Sequence, residues 1–171
     1  VAVLSQVPGQ PLTAPDRPEP MREDDLVAYT WKKAMETGAP TWAAYLPMTK
    51  AAVRGMDATE AFLGDALGTS PTGFIVTGFS KRGATAWLTA AVDPRVEAVV
   101  PGVFNVLNLS QHVEDQFENY GSYAEAAHDY VDEEVVQEIR SPEGAFLTSI
   151  VDPLAYAEAL TMPQYILSAT G

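Results

Sequence analysis

The sequence predicts an α/β fold built on a parallel β-sheet with helices on both of its faces. The main observation is a run of four segments: residues 73–77 are apolar and β-branched, 78–83 form a turn, 84–92 have a helical apolar stripe, and 96–100 are apolar again. A strand, helix and strand of these lengths form a βαβ unit with parallel strands. The 171 residues are 47% hydrophobic, which suits one core, so we expect a single domain over residues 1–171.

Composition and charge exclude several classes of function. The formal net charge of -13 disfavours nucleic acid and anionic membrane surfaces as partners, because both require clustered Lys and Arg. The chain has no cysteine, so disulfides and thiolate metal sites are excluded. No stretch approaches the ~20 apolar residues of a membrane span. The sequence has no zinc-protease, P-loop or dinucleotide-binding motif, so we expect no cofactor and no metal.

The N-terminal half contains one predicted strand and two predicted helices. Residues 1–4 are apolar and predict a buried strand, and the proline-rich stretch 8–20 predicts an irregular excursion. Residues 22–37 predict an amphipathic helix, with acidic residues at its start and Gly38 as its end. A second helix is predicted over residues 49–67.

The C-terminal half begins with an acidic, aromatic segment. Residues 110–143 contain ten Asp or Glu, opposed by Arg140. We interpret this segment as a loop with one or two helices that form an acidic helical cap over the sheet edge. Residues 144–160 predict two helical pieces divided at Asp152-Pro153, and 163–169 predict a final buried strand.

The turn at residues 78–83 is the candidate active site. Acyl transfer by a serine requires an exposed hydroxyl, a base and donors for the oxyanion. In α/β-hydrolases a sharp strand–turn–helix elbow, G-x-S-x-G, provides this exposure. Gly78 and Ser80 fit that motif, but Arg82 stands at the second glycine position, and Gly83 follows one residue later. Ser80 is therefore the candidate nucleophile.

Two further interpretations belong to this turn. The backbone N–H of Lys81 is the candidate oxyanion donor, because it follows the nucleophile. Gly83 is expected to take over the packing role of the displaced glycine. The alternative is a plain β-to-α turn in which Ser80 is the helix N-cap.

The catalytic acid and base that would act with Ser80 are difficult to identify within the chain. The order in α/β-hydrolases is Ser, acid, His. His112 and His128 both precede the last predicted strand and are interpreted as solvated residues of the acidic segment. Asp93 and Asp152 each precede a proline and are interpreted as capping residues. The last strand would deliver the acid at or just beyond Gly171.

Several sequence runs are shared with one family. They are GFSKRG at 78–83, TAWLTAAVDPRV at 85–96, VLSQVP at 3–8, QPL at 10–12, LPMTKAAV at 46–53, VDPL at 151–154 and YILSATG at 165–171. Together these runs resemble the PhoPQ-activated pathogenicity-related family, which has an α/β-hydrolase-like fold. The resemblance implies that Ser-Lys-Arg-Gly is this family's own form of the elbow. It further implies an exported, virulence-associated protein.

The resemblance also implies what lies outside the chain. The triad acid would be an Asp directly after Gly171, the His would follow later, and sheet strands with the second oxyanion donor would precede Val1. The sheet would thus be incomplete here, and we expect this fragment alone to be inactive. The sequence departs from the family at three places: Ala84 replaces a Trp, Phe104-Asn105 replaces Ile-Asp, and Gly9 replaces an Asn. If the replaced aspartate has a catalytic role, Asn105 removes it.

Two functions remain as hypotheses. The first is a secreted or periplasmic serine hydrolase that acts on an unidentified small-molecule or peptide ester or amide, with Ser80 as nucleophile. The second is a non-catalytic secreted signalling or host-interaction protein on a hydrolase scaffold.

Overall fold

The computed structural model describes residues 1–104 and 106–168. The elements in chain order are β1 (Leu12–Ala14), β2 (Arg17–Met21), α1 (Glu23–Thr37), α2 (Tyr45–Leu67), β3 (Phe74–Phe79), α3 (Lys81–Val92), β4 (Val96–Gly102), α4 (Leu109–Tyr120), α5 (His128–Asp132), α6 (Val135–Glu138) and α7 (Pro142–Val151). Short 3₁₀ segments are Pro40–Trp42, Glu125–Ala127 and Pro153–Ala159. This mixture of helices and small sheets confirms the α/β class.

The chain forms two compact units. Unit 1 contains Val1–Val7, Pro47–Asn105 and Tyr156–Gly171, and unit 2 contains Pro8–Leu46 and Val106–Ala155. Each unit is therefore assembled from separate stretches of the chain. The single domain and the cap stay predictions from the sequence.

Unit 1 contains the predicted βαβ unit. Strands β3 and β4 pair in parallel, with register from Ile75 opposite Ala98 to Phe79 opposite Gly102. The side chains of one sheet face and of α2 and α3 form an apolar core. Its buried members are Met56, Ala86, Trp87, Ala90, Val96 and Val99. The strand signal in the sequence was therefore correct, although both strands extend two residues beyond their predicted ends.

The predicted last strand is only partly correct. Residues 163–167 lie along β4, and the amide of Tyr165 donates to the Val99 carbonyl at 3.0 Å. The pairing consists of isolated bridges at Gln164 and Leu167 rather than a continuous strand. Tyr165 and Ile166 are exposed, because no further strand pairs with this edge within the described residues. Residue 169, the last of the predicted strand, and residues 170–171 after it lie outside the described residues.

The predicted strand at residues 1–4 is wrong. These residues form no strand, and Val1, Val3 and Leu4 are exposed. Within the described part of the chain no strand pairs with them, so their backbone groups do not form the hydrogen bonds of a β-sheet. An apolar β-branched run has strand propensity, but pairing with a neighbour decides whether a strand forms.

The other predicted elements agree closely with the structure. Helix α1 begins at Glu23 and ends at Thr37, where Gly38 (φ 64°) donates its amide to the Ala34 carbonyl at 3.0 Å. This left-handed residue closes the helix, as glycine favours. Helix α2 begins at Tyr45, four residues before the predicted start. Helix α7 and the 3₁₀ segment Pro153–Ala159 are the two predicted pieces around Asp152.

Unit 2 joins α1 to the acidic segment through aromatic rings and ion pairs. The ring of Trp31 lies 5.2 Å from the rings of both Tyr45 and Tyr130. Lys32 Nζ lies 2.9 Å from the Glu138 carboxylate. The acidic segment, which the sequence predicted as one or two helices, contains three helices, α4, α5 and α6.

Candidate active site

Ser80 is the single residue between β3 and α3. Gly78 and Phe79 belong to the strand and Lys81 begins the helix, so the turn is sharper than the six-residue turn that the sequence predicts. The Ser80 backbone has φ 54° and ψ -126°, a conformation that a non-glycine residue rarely adopts. Its side chain is exposed at the carboxyl end of β3. In open α/β sheets this is the edge where ligands bind.

Backbone hydrogen bonds hold Ser80 in this conformation. Its amide donates to the Gly102 carbonyl at the end of β4, at 2.9 Å. Its carbonyl accepts from the amides of Gly83 at 2.7 Å and Ala84 at 3.2 Å. These three contacts fix Ser80 to the end of the neighbouring strand and to the first turn of α3.

The hydroxyl of Ser80 does not cap α3. The first turn of the helix receives no side-chain hydrogen bond from the N-cap position. A serine kept at this position for capping would accept from the amide two or three residues later. The geometry therefore differs from the capping alternative, and the hydroxyl is exposed to solvent.

The two elbow glycines allow a close approach of helix and strand. A Cβ atom at Gly78 would overlap the carbonyl oxygen of Arg82. A Cβ atom at Gly83 would lie 2.8 Å from the Cβ of Phe104 and 3.0 Å from the Gly102 oxygen. Such short contacts require a backbone shift. Gly83 thus lies where a larger side chain would not fit without a shift, and its replacement of the displaced glycine stays a prediction.

Backbone strain in unit 1 is concentrated near this site. Three non-glycine residues among its described residues have positive φ: Gln6 (60°), Ser80 (54°) and Val103 (44°). Val103 directly follows Gly102, the acceptor of the Ser80 amide, and Arg82 Nε donates to the carbonyl of Val7, next to Gln6, at 2.8 Å. Strained residues of this kind cluster at functional sites. The sequence does not reveal Gln6 or Val103, because neither residue type signals positive φ.

Lys81 differs from its sequence interpretation in one respect. The sequence assigned it only a backbone role, yet the residue is buried, with 6% of its surface exposed. Its carbonyl accepts from the Thr85 hydroxyl at 3.0 Å within α3. Its position directly after Ser80 is the one that the oxyanion role requires, and that role stays a prediction.

The two histidines belong to unit 2, whereas Ser80 belongs to unit 1. His112 is an exposed residue of α4. His128 donates from Nδ1 to the Glu125 carbonyl at 2.8 Å, and Nε2 lies 3.3 Å from Asp129. This backbone hydrogen bond, helped by the negative charge of Asp129, raises the pKa of His128. Both histidines are surface residues, as the sequence interpretation expected.

The two aspartates beside prolines have structural partners. Asp152 accepts from the amides of Leu109 at 2.6 Å and Leu154 at 2.9 Å, so it caps the starts of two helices. Asp93 accepts from Arg95 Nε at 2.9 Å, and this hydrogen bond is the main reason why its pKa is lowered. Asp152 agrees with the capping interpretation, whereas the Asp93 side chain binds Arg95 just after the end of α3. Asn105, which stands where the family resemblance implies an aspartate, lies outside the described residues.

Neither a metal-binding group nor a membrane-spanning helix is found within residues 1–104 and 106–168. No group of three or more His, Asp or Glu there is arranged to hold a metal ion. No helix in the same ranges is long and apolar enough to cross a membrane.

Comparison with known proteins identifies the family. The family model described as PhoPQ-activated pathogenicity-related protein matches residues 1–171. The chain belongs to this family. The PhoPQ-related chain is also 41% identical over 168 residues to the autocrine proliferation repressor protein A of Dictyostelium discoideum. That alignment covers 98% of the PhoPQ-related chain and 34% of the relative, so the chain spans about a third of the relative's length. No solved structure matches it.

Proposed function

We propose that the full-length PhoPQ-related protein is a secreted or periplasmic serine hydrolase that cleaves an ester or amide, with Ser80 as its nucleophile. The observation that carries this proposal is the conformation of Ser80, which is exposed between β3 and α3 at φ 54°. The strained serine at the carboxyl edge of a parallel sheet is the feature that nucleophile elbows share.

The chemistry follows from the position of Ser80. Its Oγ would attack the substrate carbonyl carbon while a base accepts the hydroxyl proton. The negative charge on the carbonyl oxygen would be stabilised by the backbone N–H of Lys81. Collapse of this intermediate would break the bond to the alcohol or amine, which leaves with the proton from the base. Water would then attack the acyl-serine in the same way and restore the hydroxyl. The family resemblance implies that the base and its acid partner follow Gly171.

A fluorophosphonate probe tests the proposal, because it phosphonylates activated serines. We expect the full-length protein to be labelled at Ser80 and the Ser80→Ala variant to remain unlabelled. Ser70→Ala is the matched control, since Ser70 is an exposed serine of the same unit after the end of α2. Unlabelled wild-type protein, or equal labelling of Ser80→Ala, would refute the hydrolase.

A second candidate is a non-catalytic, secreted signalling protein on the same scaffold. It is favoured by the relative whose name describes an autocrine repressor of proliferation. In this case Ser80→Ala would retain the effect of the full-length protein on cell proliferation, measured by cell counts in treated cultures. Loss of the effect in a folded Ser80→Ala variant would exclude this candidate and favour the hydrolase.

A further inference from the structure

Arg82 stands where the second glycine of G-x-S-x-G would lie, and its side chain makes a long-range contact. The close contacts of the elbow are made by Gly78 and Gly83, whose Cβ positions are already blocked by neighbouring atoms. The Arg82 side chain is directed instead to residue 7, 75 positions away in sequence, where Nε donates to the Val7 carbonyl at 2.8 Å. Val7 is buried, with 8% of its surface exposed.

The segment that contains Val7 has a second neighbour in unit 1. The Leu4 side chain lies beside Gly55 of α2, where a Cβ atom added to that glycine would come 3.4 Å from Leu4 Cδ2. Between these two points Gln6 has φ 60°. Residues 4–7 therefore have an irregular backbone that lies beside α2 and is joined by a hydrogen bond to the first turn of α3.

Ser80 and Arg82 belong to the same helical turn. The Ser80 carbonyl accepts hydrogen bonds from the amides of Gly83 and Ala84, the two residues that directly follow Arg82. A backbone with positive φ at a non-glycine residue costs about 1–3 kcal/mol and persists only where the surroundings determine it. A hydrogen bond from this turn to a separate segment adds such a constraint.

We propose that Arg82 is a positioning residue, which holds the first turn of α3, and with it Ser80, against the backbone of Gln6 and Val7. The inference rests on the proposed function, because it assigns to Arg82 a role in the reactivity of Ser80. The hydrogen bond from Arg82 to Val7 is also one that a glycine at this position could not make. Lysine is not equivalent, since the planar guanidinium donates from Nε as well as from its terminal nitrogens, whereas lysine has a single terminal ammonium.

Two substitutions in the full-length protein test the role of Arg82. Arg82→Gly restores the strict G-x-S-x-G motif but removes the contact, and Arg82→Lys keeps the charge but removes the Nε donor. We expect both to lower the maximal rate of fluorophosphonate labelling of Ser80 by about tenfold, because misplacement of a reacting group by about 1 Å costs up to about 100-fold. The probe concentration at half-maximal rate is expected to stay unchanged. Arg54→Ala is the matched control, since Arg54 is an exposed arginine of the same unit.

Amide hydrogen exchange supplies a readout that does not depend on catalysis. In both Arg82 variants we expect faster exchange in peptides that cover residues 4–8 and 79–84, with α2 unchanged. Unchanged exchange at 79–84, or faster exchange there with wild-type labelling rates, would overturn the positioning role. If wild-type protein is not labelled at all, the proposed hydrolase fails, and exchange at 79–84 alone decides whether Arg82 holds the turn. Should Arg82→Gly fail to fold, Arg82→Lys gives the same comparison.

Discussion

The elbow of unit 1 and helix α1 of unit 2 are held in place by different kinds of contact. In unit 1 the side chains of β3, α3 and β4 form an apolar core around Trp87 and Val99, and the backbone approach at the elbow depends on glycines. In unit 2 helix α1 makes aromatic and ionic contacts beside its apolar ones: Trp31 packs on two tyrosines, and Lys32 pairs with Glu134 and Glu138. The elbow of unit 1 thus depends on a close approach of backbones, whereas α1 also depends on rings and charges. Elsewhere in unit 1 Arg95 forms ion pairs with Asp57, Glu60 and Asp93.

The net charge is divided just as unevenly. The sequence ranges of unit 2 contain 17 Asp and Glu against 5 Lys and Arg, a net charge of -12, whereas those of unit 1 contain 6 against 5, a net charge of -1. The acidity of the chain is therefore a property of unit 2. It bears on solubility and association, and it says little about the chemistry of Ser80, which lies in the nearly neutral unit.

The largest effect that we predict is on the core of unit 1. Trp87→Ala should destabilise unit 1 by about 3–5 kcal/mol, because it leaves a cavity in a packed core. Trp87→Phe is the control: it keeps most of the volume and removes an indole N–H that has no partner among the described residues, so its cost should be less than half as large. Denaturant unfolding, followed by amide exchange in β3 and β4, measures both. A cost below about 1 kcal/mol for Trp87→Ala would contradict close packing in unit 1.

An intermediate effect is predicted at the elbow. Gly78→Ala should destabilise unit 1 by about 1–3 kcal/mol, because the new methyl group would overlap the backbone of Arg82. Gly64→Ala in α2 has no atom within 4 Å of the new methyl group and should stabilise the helix by about 0.5–1 kcal/mol. The same unfolding measurement compares them. Equal effects of the two substitutions would show that the elbow does not depend on its glycines.

The smallest effect is predicted in unit 2, at alkaline pH. Burial raises the pKa of Tyr45, which also faces the Asp24 carboxylate, and burial raises the pKa of Tyr130, whose hydroxyl donates to Asp24 at 3.0 Å. The folded state therefore retains phenol protons that the unfolded state loses above pH 10. Stability is full below pH 10 and falls as pH rises, by about 1 kcal/mol per tyrosine between pH 10 and 11.

The matched variants for this prediction are Tyr45→Phe and Tyr130→Phe. Each should weaken the alkaline loss of stability, measured as the pH dependence of the denaturation midpoint with amide exchange read in α1. A pH dependence that is identical in wild type and in the double variant would mean that these two phenols do not determine it. An equally strong response in unit 1 would remove the contrast between the two units.

Local sequence signals predicted the βαβ unit well. The β-branched run before Gly78, the helical stripe through Trp87 and the proline after Asp93 each act within a few residues, so their consequences could be read directly. Gly38 marked the end of α1 for the same reason, and it has positive φ. The predicted packing role of Gly83 also depended on local geometry, since it concerns the first turn of a helix.

The predictions that failed depended on distant neighbours. Residues 1–4 have strand propensity, but no strand of the described residues pairs with them, and Tyr165 and Ile166 are apolar but exposed. The hydrogen bond between Arg82 and Val7 joins positions 75 residues apart, and no pattern in the sequence indicates it. Contacts of this kind arise only when the chain has folded.

The sequence by itself determined that Ser80 follows a strand and precedes a helix, because strand and helix periodicities are local. It also determined the family, through runs that extend along nearly the whole chain. Tertiary structure decided that Ser80 has positive φ and that its hydroxyl does not cap α3, because the end of β4 holds its amide. Tertiary structure also decided the role of Arg82, since the carbonyl that accepts its hydrogen bond belongs to a segment that only folding brings to the elbow.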